Sequence, residues 1–194
     1  MIKRIETTNQ NDTFTIECKD IILREFQLED LDELYNLTLQ KEITDFLPDW
    51  IASKEQRREW LINFHMKSNR EFLKAVPDIK DQWLNLGIIL KKTNEFIGWC
   101  CTGPKEELPE PNREIAYAIS KYHREKGYTT QAAQGLIKYL FQETNAEMLN
   151  AIALTYNIPS NKVIQKCGFS LVGKINIDNQ EFYHYKLLKN MPLV

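Results

Sequence analysis

The sequence lacks several features that would place it at a membrane or on a nucleic acid. No hydrophobic run approaches the roughly 18 residues that a membrane-spanning helix needs. The N-terminus is basic but no apolar stretch follows it, so we expect no secretory signal peptide. Acidic and basic residues nearly balance, at 27 and 25, and the formal charge of −2 offers no case for general nucleic-acid binding. We therefore expect a cytoplasmic protein that binds neither membranes nor nucleic acids.

Metal-binding and disulfide patterns are also missing. The four cysteines show no Cys-x-x-Cys spacing, and the three histidines stand far apart in the chain. Such spacings are typical of zinc sites and redox motifs. The sequence therefore predicts reduced cysteines and no metal cofactor. Residues 1–194 are long enough for one domain with a substantial core.

A basic turn with a single glycine precedes a long helical pattern. Residues 123–132 read His-Arg-Glu-Lys-Gly-Tyr-Thr-Thr-Gln-Ala, after a strand-like segment at 114–119 and overlapping a helical pattern at 130–144. The first N–H groups of a helix have no partner within the helix, and the helix dipole is positive there. Gly127 allows the backbone a positive φ and a close approach to an anion. The turn alone suits an ordinary strand-to-helix connection or a phosphate site.

A second motif further along the chain favours the phosphate site. Residues 157–169 read Asn-Ile-Pro-Ser-Asn-Lys-Val-Ile-Gln-Lys-Cys-Gly-Phe and follow a strand-like run at 151–155. Together the motifs resemble the core of the GNAT superfamily of acyl-CoA N-acyltransferases, above all its RimJ/RimL-like branch, which acetylates N-terminal amines of ribosomal proteins. That branch typically reads Arg-Gly-Lys-Gly-Tyr-Ala-Thr-Glu-Ala, then Asn-x-x-Ser-x-x-Val-x-x-Lys-x-Gly-Phe. The resemblance covers residues 21–188 and is sharp over residues 96–169.

Hydrophobic periodicity predicts an α/β (α+β) chain, and the resemblance implies the GNAT fold. That fold has a mixed, mostly antiparallel sheet of six to seven strands, flanked by about four helices, with two parallel strands that splay apart. Strands are predicted at 21–26, 83–91, 96–101, 114–119, 148–155, 170–177 and 181–188, and 114–119 and 148–155 form the parallel pair. Helices are predicted from Leu28 to Leu37, after a capping box of Ser53 and Gln56, at 130–144, and in a short segment ended by Gly168. Residues 102–112 read as a loop, and 66–81 are ambiguous.

The resemblance implies an acetyl-CoA site between the two parallel strands. In the family, the pantetheine arm lies between them and bonds to free main-chain groups as a neighbouring strand would. The matching cofactor-binding positions are Ala118, Ile119, Ser120, Arg124, Lys126, Gly127, Tyr128, Thr129, Thr130 and Asn157. The pyrophosphate is expected over residues 124–130, and Asn157 either orients the pantetheine amides or serves as a turn residue. Three positions depart from the family pattern: Glu125 replaces a glycine, Thr129 replaces a smaller residue, and Gln131 also differs.

The implied reaction is attack of a neutral amine on a thioester, which needs a proton acceptor and a proton for the leaving thiolate. Glu114 stands at the family's Glu-Ile-Gly-Tyr position and is the expected general base; a solvated strand-end glutamate is the alternative. Ser160 is the matching proton donor or, alternatively, a helix cap. Some GNAT enzymes carry a tyrosine where Ile164 stands, so Ser160 or solvent is favoured here. A covalent route through Cys167 is not expected, because this residue lies on an apolar helix face.

We therefore expect an N-acetyltransferase that transfers acetyl from acetyl-CoA to a primary amine, either a protein N-terminus or a small molecule. Residues 45–50 occupy the place of the acceptor wall in related enzymes. Glu106, Glu107 and Glu110 either attract a cationic amine or form a solvated loop. A different class stays open, since the three departures also suit a non-catalytic acyl-CoA-binding sensor or partner subunit. The sequence decides neither the acceptor nor whether the protein forms a homodimer.

Overall fold

The computed structural model describes residues 13–189, whose strands form one mixed sheet. Its eight strands are ordered β1-β2-β3-β4-β5-β6-β8-β7. They are β1 Thr15–Glu17, β2 Ile21–Glu25, β3 Leu84–Leu90, β4 Glu95–Pro104, β5 Arg113–Ile119, β6 Met148–Leu154, β7 Ser170–Ile177 and β8 Gln180–Leu188. Neighbouring strands are antiparallel except for β5 and β6, which are parallel. The mixed fold and its parallel pair are as the sequence predicts.

Helices pack on both faces of this sheet. They are α1 Leu31–Thr38, α2 Lys41–Thr44, α3 Lys54–Trp60, α4 Met66–Ala75, α5 Tyr128–Glu143 and α6 Ile158–Lys166. Residues Leu61–His65 form a π-helical segment that joins α3 to α4. The predicted capping box is present, because the Gln56 N–H donates to Ser53 Oγ and the Ser53 N–H donates to Gln56 Oε1. No helix within residues 13–189 is long and apolar enough to cross a membrane.

Alternation of side chains along the strands divides the core between the two faces. On the face covered by α5 and α6, called the α5 face below, Leu136 packs with Ile115 of β5. On the opposite face, called the α1 face, Leu34 of α1 packs in a cluster with Trp99 of β4 and Ala118 of β5. Each residue of β5 therefore projects to one of two different environments.

The parallel pair opens soon after it begins. Glu114 and Asn150 form the one register pair between β5 and β6 in the described residues. Asn150 is fully buried, and its Nδ2 donates to the carbonyls of Pro111, at 2.9 Å, and Arg113, at 3.2 Å. These bonds hold β5 to β6 at the closed end. Beyond it the strands separate, as predicted, and leave a slit in the sheet.

The structure corrects several predicted boundaries. The sheet has eight strands rather than six to seven, because the short β1 pairs with β2, and a three-residue strand has too little alternation to be recognised. Thr102, Gly103 and Pro104 continue β4 rather than opening a loop, since they pair with the first residues of β5. The last of them, Pro104, ends the strand, where its missing N–H costs little.

The helices also differ from the prediction in number and in one start. Residues 13–189 contain six α-helical segments rather than about four, because α2 is a single short turn and the π segment separates α3 from α4. Residues 66–75 of the ambiguous stretch are helical. The helix predicted at 130–144 begins at Tyr128, because Gly127 serves as its N-cap with a φ of 79°.

Candidate active site

Glu114 lies at the closed end of the slit, on the α1 face with Ala116 and Ala118. Its carboxylate accepts a hydrogen bond from the Ile152 N–H, which favours the charged form. Burial is the largest effect, and it raises the pKa of Glu114 to about 7 against the opposing charge of Lys105 and with a smaller contribution from Glu107. A carboxyl group with this pKa is ionised about half of the time at neutral pH and can both take up and release a proton.

Tryptophan rings line the α1 face beside and beyond Glu114. Gly103 is paired directly with Glu114, and the Trp83 ring lies against it, so that an added Cβ there would be 2.1 Å from Trp83 Cδ2. Trp50 stacks on Trp99 with ring centroids 4.3 Å apart. The loop at residues 45–50 therefore covers the same face as Glu114.

Ser160 lies on the opposite side of the sheet, in the first turn of α6. Its Oγ is 3.2 Å from the Tyr117 hydroxyl, which also lies 3.2 Å from the Ser160 carbonyl and donates to it. Burial raises the pKa of Tyr117 well above its ordinary value, so the phenol keeps its proton. Asn157 is the N-cap of α6, since its Oδ1 accepts from the Ser160 N–H at 3.3 Å. The capping role thus belongs to Asn157, and the Ser160 hydroxyl is not the cap.

Glu114 and Ser160 consequently face each other through the slit rather than across one surface. Tyr117, which holds Ser160, packs against the α5-face cluster, whereas Glu114 shares the α1 face with Ala116. The alternation of β5 produces this arrangement, because residues 114 and 117 are three positions apart. A group placed in the slit can be reached by a carboxylate from one face and by hydroxyls from the other.

The turn between β5 and α5 is held by its charged side chains. Arg124 Nη2 donates to the Glu42 carbonyl of α2 at 2.7 Å, and Lys126 Nζ donates to the Tyr122 carbonyl at 3.0 Å. An added Cβ at Gly127 would meet nothing within 4 Å, so the positive φ and not crowding within the protein accounts for glycine there. The turn therefore ends in a helix N-terminus with open space beside its cap.

Two of the three departures from the family pattern have structural explanations. Glu125 adopts a left-handed conformation with φ 62°, which explains why glycine is usual at this position, and its side chain is exposed. Gln131 bonds to the turn after β1: its Oε1 accepts from the Asp20 N–H at 2.9 Å, and its Nε2 donates to Asp20 Oδ2 at 2.8 Å. Nothing in the structure explains Thr129.

The cysteines offer the site neither a nucleophile nor a disulfide. Cys167 is buried, and burial raises its pKa to about 12, which disfavours a nucleophilic thiolate. All four cysteines are unbridged. Within residues 13–189, no group of three or more His, Cys, Asp or Glu side chains is arranged to hold a metal ion.

Sequence reasoning missed three residues that the fold brings to this region. Tyr117 was visible within the Glu-Ile-Ala-Tyr motif, but only the structure places its hydroxyl on Ser160. Arg57 and His65 lie in helical sequence of mixed polarity and read as solvated. They are buried on the α1 face, at 2% and 8% exposure, and no local pattern signals this.

A mixed sheet whose one parallel pair opens beside a glycine-capped helix defines the acyl-CoA N-acyltransferase class. Residues 20–170 match the family described as Acetyltransferase (GNAT) domain. The chain belongs to this family and is an acyltransferase, as the resemblance implied.

Individual relatives agree with this assignment. Uncharacterized N-acetyltransferase YnaD of Bacillus subtilis (strain 168) is 25% identical over 158 residues, which are 81% of this chain and 84% of that one. The structure of a GNAT-family acetyltransferase from Bacillus anthracis has a TM-score of 0.74 at 22% identity and covers 92% of this chain and 100% of its own. RimL, the ribosomal L7/L12 alpha-N-protein acetyltransferase, in complex with coenzyme A, has a TM-score of 0.73 at 16% identity, with 90% and 98% covered.

Proposed function

We propose that this enzyme transfers an acetyl group from acetyl-CoA to a primary amine by direct attack, with Glu114 as the general base. The observation that carries the proposal is a carboxyl group with a pKa near 7 at the closed end of the slit. Perturbed groups of this kind in a cleft are typical of acid–base catalysts. The proposal refines the family assignment by naming the residues and the direction of proton transfer.

The slit and the α5 N-terminus fit acetyl-CoA. Main-chain groups of Ala118 and Ile119 on the opened side of β5 would bond the pantetheine amides. The predicted contribution of Ser120 is less favourable, because its N–H already donates to the Ile97 carbonyl at 2.8 Å and its carbonyl accepts from the His123 N–H at 2.9 Å. The N–H groups of Tyr128, Thr129 and Thr130 begin α5 and would bind the pyrophosphate beside Gly127. Acetyl-CoA supplies the thioester that the amine attacks, and RimL in complex with coenzyme A supports the same use of the fold.

The side chains of the turn assist in two different ways. Lys126 is exposed and adds positive charge near the phosphates. Arg124 donates to the Glu42 carbonyl and so fixes the turn against α2, while its charge still favours an anion. We propose that Asn157 caps α6 with Oδ1 and bonds pantetheine with its Nδ2.

Glu114 would take the proton of the attacking amine. A free α-amine has a pKa of about 8 and an alkyl amine about 10, so most acceptor molecules are protonated at neutral pH. A carboxylate of pKa near 7 is a better match to these amines than an ordinary glutamate, because the proton moves over a smaller free-energy difference. Its place on the α1 face leaves the α5 face for the leaving group.

Ser160 would return a proton to the thiolate on that opposite face. Its hydroxyl lies 3.2 Å from the Tyr117 hydroxyl, which can donate a hydrogen bond to Ser160 Oγ while solvent restores the proton that Ser160 gives up. A thiol with a pKa near 8.5 is a good leaving group, so this assistance contributes a modest factor. The amine and thiol protons are thus handled by separate residues.

The acceptor would reach Glu114 past the loop that contains Glu106, Glu107 and Glu110, called the acidic loop. Glu107 raises the pKa of Glu114, so its charge is near the base, and it is paired with Lys105 at 2.8 Å. Negative charge at this opening attracts a protonated amine. RimL modifies the α-amine of a ribosomal protein, which supports an N-terminal amine as one acceptor class beside small amines.

The test is acetyl-CoA turnover with a panel of short peptides and small amines, with the acetylated product detected by mass. We expect at least one amine to be acetylated at a rate that saturates with both substrates. Acetyl-CoA binding without any amine-dependent release of coenzyme A would overturn the proposal and favour a sensor or a partner subunit.

A further inference from the structure

Three buried nitrogen atoms without hydrogen-bond partners lie on the α1 face. They are Arg57 Nε, His65 Nδ1 and Trp99 Nε1, and one further such side-chain atom, His123 Nδ1, lies in the turn before α5. Buried polar atoms in folded proteins are nearly always paired, so each unpaired one calls for an explanation. Three such atoms on one face of the sheet indicate that a hydrogen-bonding group belongs among them, and the region that they share is called the pocket below.

Arg57 is a buried cation with no carboxylate beside it. The residue is 2% exposed, and among the described residues no ion pair involves it. Desolvation lowers its pKa to about 10, and no acidic group offsets the shift. Its Nη2 donates to the Trp50 carbonyl at 2.6 Å, and its guanidinium lies 4.5 Å from the Trp50 ring centroid and 5.0 Å from that of Trp60. The two rings and the carbonyl offset part of the cost of burying this cation, and an anion beside Nε would offset more of it.

His65 and Trp99 extend the pocket around Arg57. The charge of Arg57 contributes to lowering the pKa of His65, and burial, the larger cause, takes it to about 4. His65 ends the π-helical segment Leu61–His65, a distortion that is frequent at functional sites. Trp99 joins the group through its stacking on Trp50.

The pocket lies on the acceptor side of the slit and at a defined distance from the base. Trp99 is paired with Ala118, on the same face of β5 as Glu114 and four residues along it. Four residues of an antiparallel strand span about 13 Å. An acceptor whose amine reaches Glu114 therefore has its other end near Trp99 and Arg57.

We propose that Arg57, His65 and Trp99 form an oxyanion subsite, and that the acceptor carries a carboxylate or a phosphate group about 13 Å from its amine. This inference rests on the proposed function, since it assigns the far end of the amine acceptor. Arg57 Nε and Trp99 Nε1 are both donors, and a neutral His65 can present an N–H at Nδ1. Trp50 covers Arg57 and Trp99, so the anion enters when the turn Pro48–Trp50 moves outward.

The acceptor that this proposal requires carries one positive and one negative charge. Its ammonium end lies near Glu107 and Glu114, and its anionic end near Arg57. In an extended peptide, about four residues separate groups at this distance. An N-terminal amine followed by an acidic or phosphorylated residue at the third or fourth position has the required spacing, and so has a rigid small amine of similar length.

Binding can be tested without catalysis, because all four tryptophans, Trp50, Trp60, Trp83 and Trp99, lie around this pocket. Intrinsic fluorescence is titrated with inorganic phosphate and with succinate, at constant ionic strength set by chloride. We expect a saturable change for the wild type and an affinity at least tenfold weaker for Arg57→Met. Arg58→Met is the matched control, since Arg58 is the next residue of α3 and is exposed, and it should match the wild type.

Kinetics test the same subsite with matched acceptors. We compare two pairs of tetrapeptide amides. One pair ends in Glu or Gln and the other in phosphoserine or serine, so the members of each pair differ only in the anion. We expect the wild type to show a KM at least tenfold lower for one anionic member, and Arg57→Met to abolish the difference while leaving the acetyl-CoA KM unchanged. The Glu/Gln and phosphoserine/serine pairs distinguish a carboxylate from a phosphate.

The outcomes separate this inference from the proposed function. No fluorescence response to either anion, with equal KM values within both pairs, would overturn the subsite and leave a buried water as the partner of Arg57. Fluorescence binding without any turnover would contradict the proposed function alone. If Arg57→Met does not fold, Arg57→Lys replaces it, because lysine keeps the charge but loses the planar donors. We expect Arg57→Lys to weaken binding. The comparison of matched peptides with the wild type needs no variant.

Discussion

Gly127 and Glu125 hold the turn before α5 in left-handed backbone conformations, with φ of 79° and 62°. The exposed Glu125 bears the strain of a non-glycine residue there, typically about 1–3 kcal/mol. Gly127 avoids that strain and leaves open space at the helix N-terminus. At the scale of single residues, the turn leaves the first N–H groups of α5 open, as the proposed binding of the pyrophosphate requires.

Gly127→Val should impair acetyl-CoA binding far more than folding. A β-branched residue resists a positive φ, which lowers stability modestly, and its side chain would occupy the open space that the phosphates need. We expect acetyl-CoA affinity to fall more than tenfold by calorimetry, with a small drop in the thermal midpoint. Gly173→Val is the control, because Gly173 also has open space but no positive φ. An unchanged affinity with an unchanged midpoint would remove Gly127 from the site.

Ser160→Ala should slow catalysis without weakening α6. The N-cap is Asn157, which bonds the backbone N–H of residue 160 and not its side chain, so the thermal midpoint should stay within about a degree of the wild type. The leaving thiolate needs only modest assistance, so kcat should fall about tenfold or less. A large fall in the midpoint, or an unchanged kcat with chemistry rate-limiting, would make Ser160 a structural residue.

The strand pair β5–β6 is the element on which the site depends. Asn150 fastens its closed end through two carbonyls, and its Oδ1 bonds His184 Nε2 at 2.8 Å. Pairing of β5 with β6 stops after Glu114, so the side of β5 that faces β6 is open further along, where we propose that pantetheine binds. The hydrogen bonds of Asn150 thus set both the position of Glu114 and the start of the slit.

The loop that precedes β5 should steer the acceptor. Replacing Glu106, Glu107 and Glu110 together by Gln should raise the acceptor KM and flatten its dependence on salt, because exposed charges act through a screened field. Acetyl-CoA parameters should barely move. Glu17→Gln, Asp178→Asn and Glu181→Gln, at the far edges of the sheet, change the net charge equally and should leave KM unaltered. The same KM in both triple variants would make the loop a solvated connector.

Across the whole molecule, local motifs could be predicted and long-range burial could not. The parallel pair, the turn at Gly127 and the capping box of α3 follow from short segments in which residue type and spacing are tightly linked, whereas the cap of α6 is Asn157 and not Ser160. Arg57 carries no such signal, because an arginine in a helix of mixed polarity is usually solvated, and only the packing of α3 against Trp50 and Trp99 buries it. The separation of Glu114 and Ser160 by the sheet was likewise invisible until the register of β5 was known.

The partly buried Glu114 should also affect how stability depends on pH. Its pKa is about 7 in the folded protein against an ordinary 4.5, so the folded state binds more protons between these values. Stability due to this group is therefore present below pH 4.5 and is lost as pH rises toward 7. Glu114→Gln cannot ionise and should be progressively more stable than the wild type across that window, as measured by denaturant unfolding at each pH.

The pH dependence of the rate with Glu114→Gln tests the central claim most directly. This change keeps shape but cannot accept a proton at neutral pH. Because a general base contributes about 10²–10⁴-fold, kcat should fall by that factor at pH 7 while acetyl-CoA affinity is kept. Wild-type kcat/KM should rise with pH through about pH 7, and the variant should lack this rise. The difference in rate between the wild type and the variant should shrink at high pH, where more amine is neutral. A loss below about threefold at neutral pH with chemistry rate-limiting, or a pH-independent defect, would contradict Glu114 as the base.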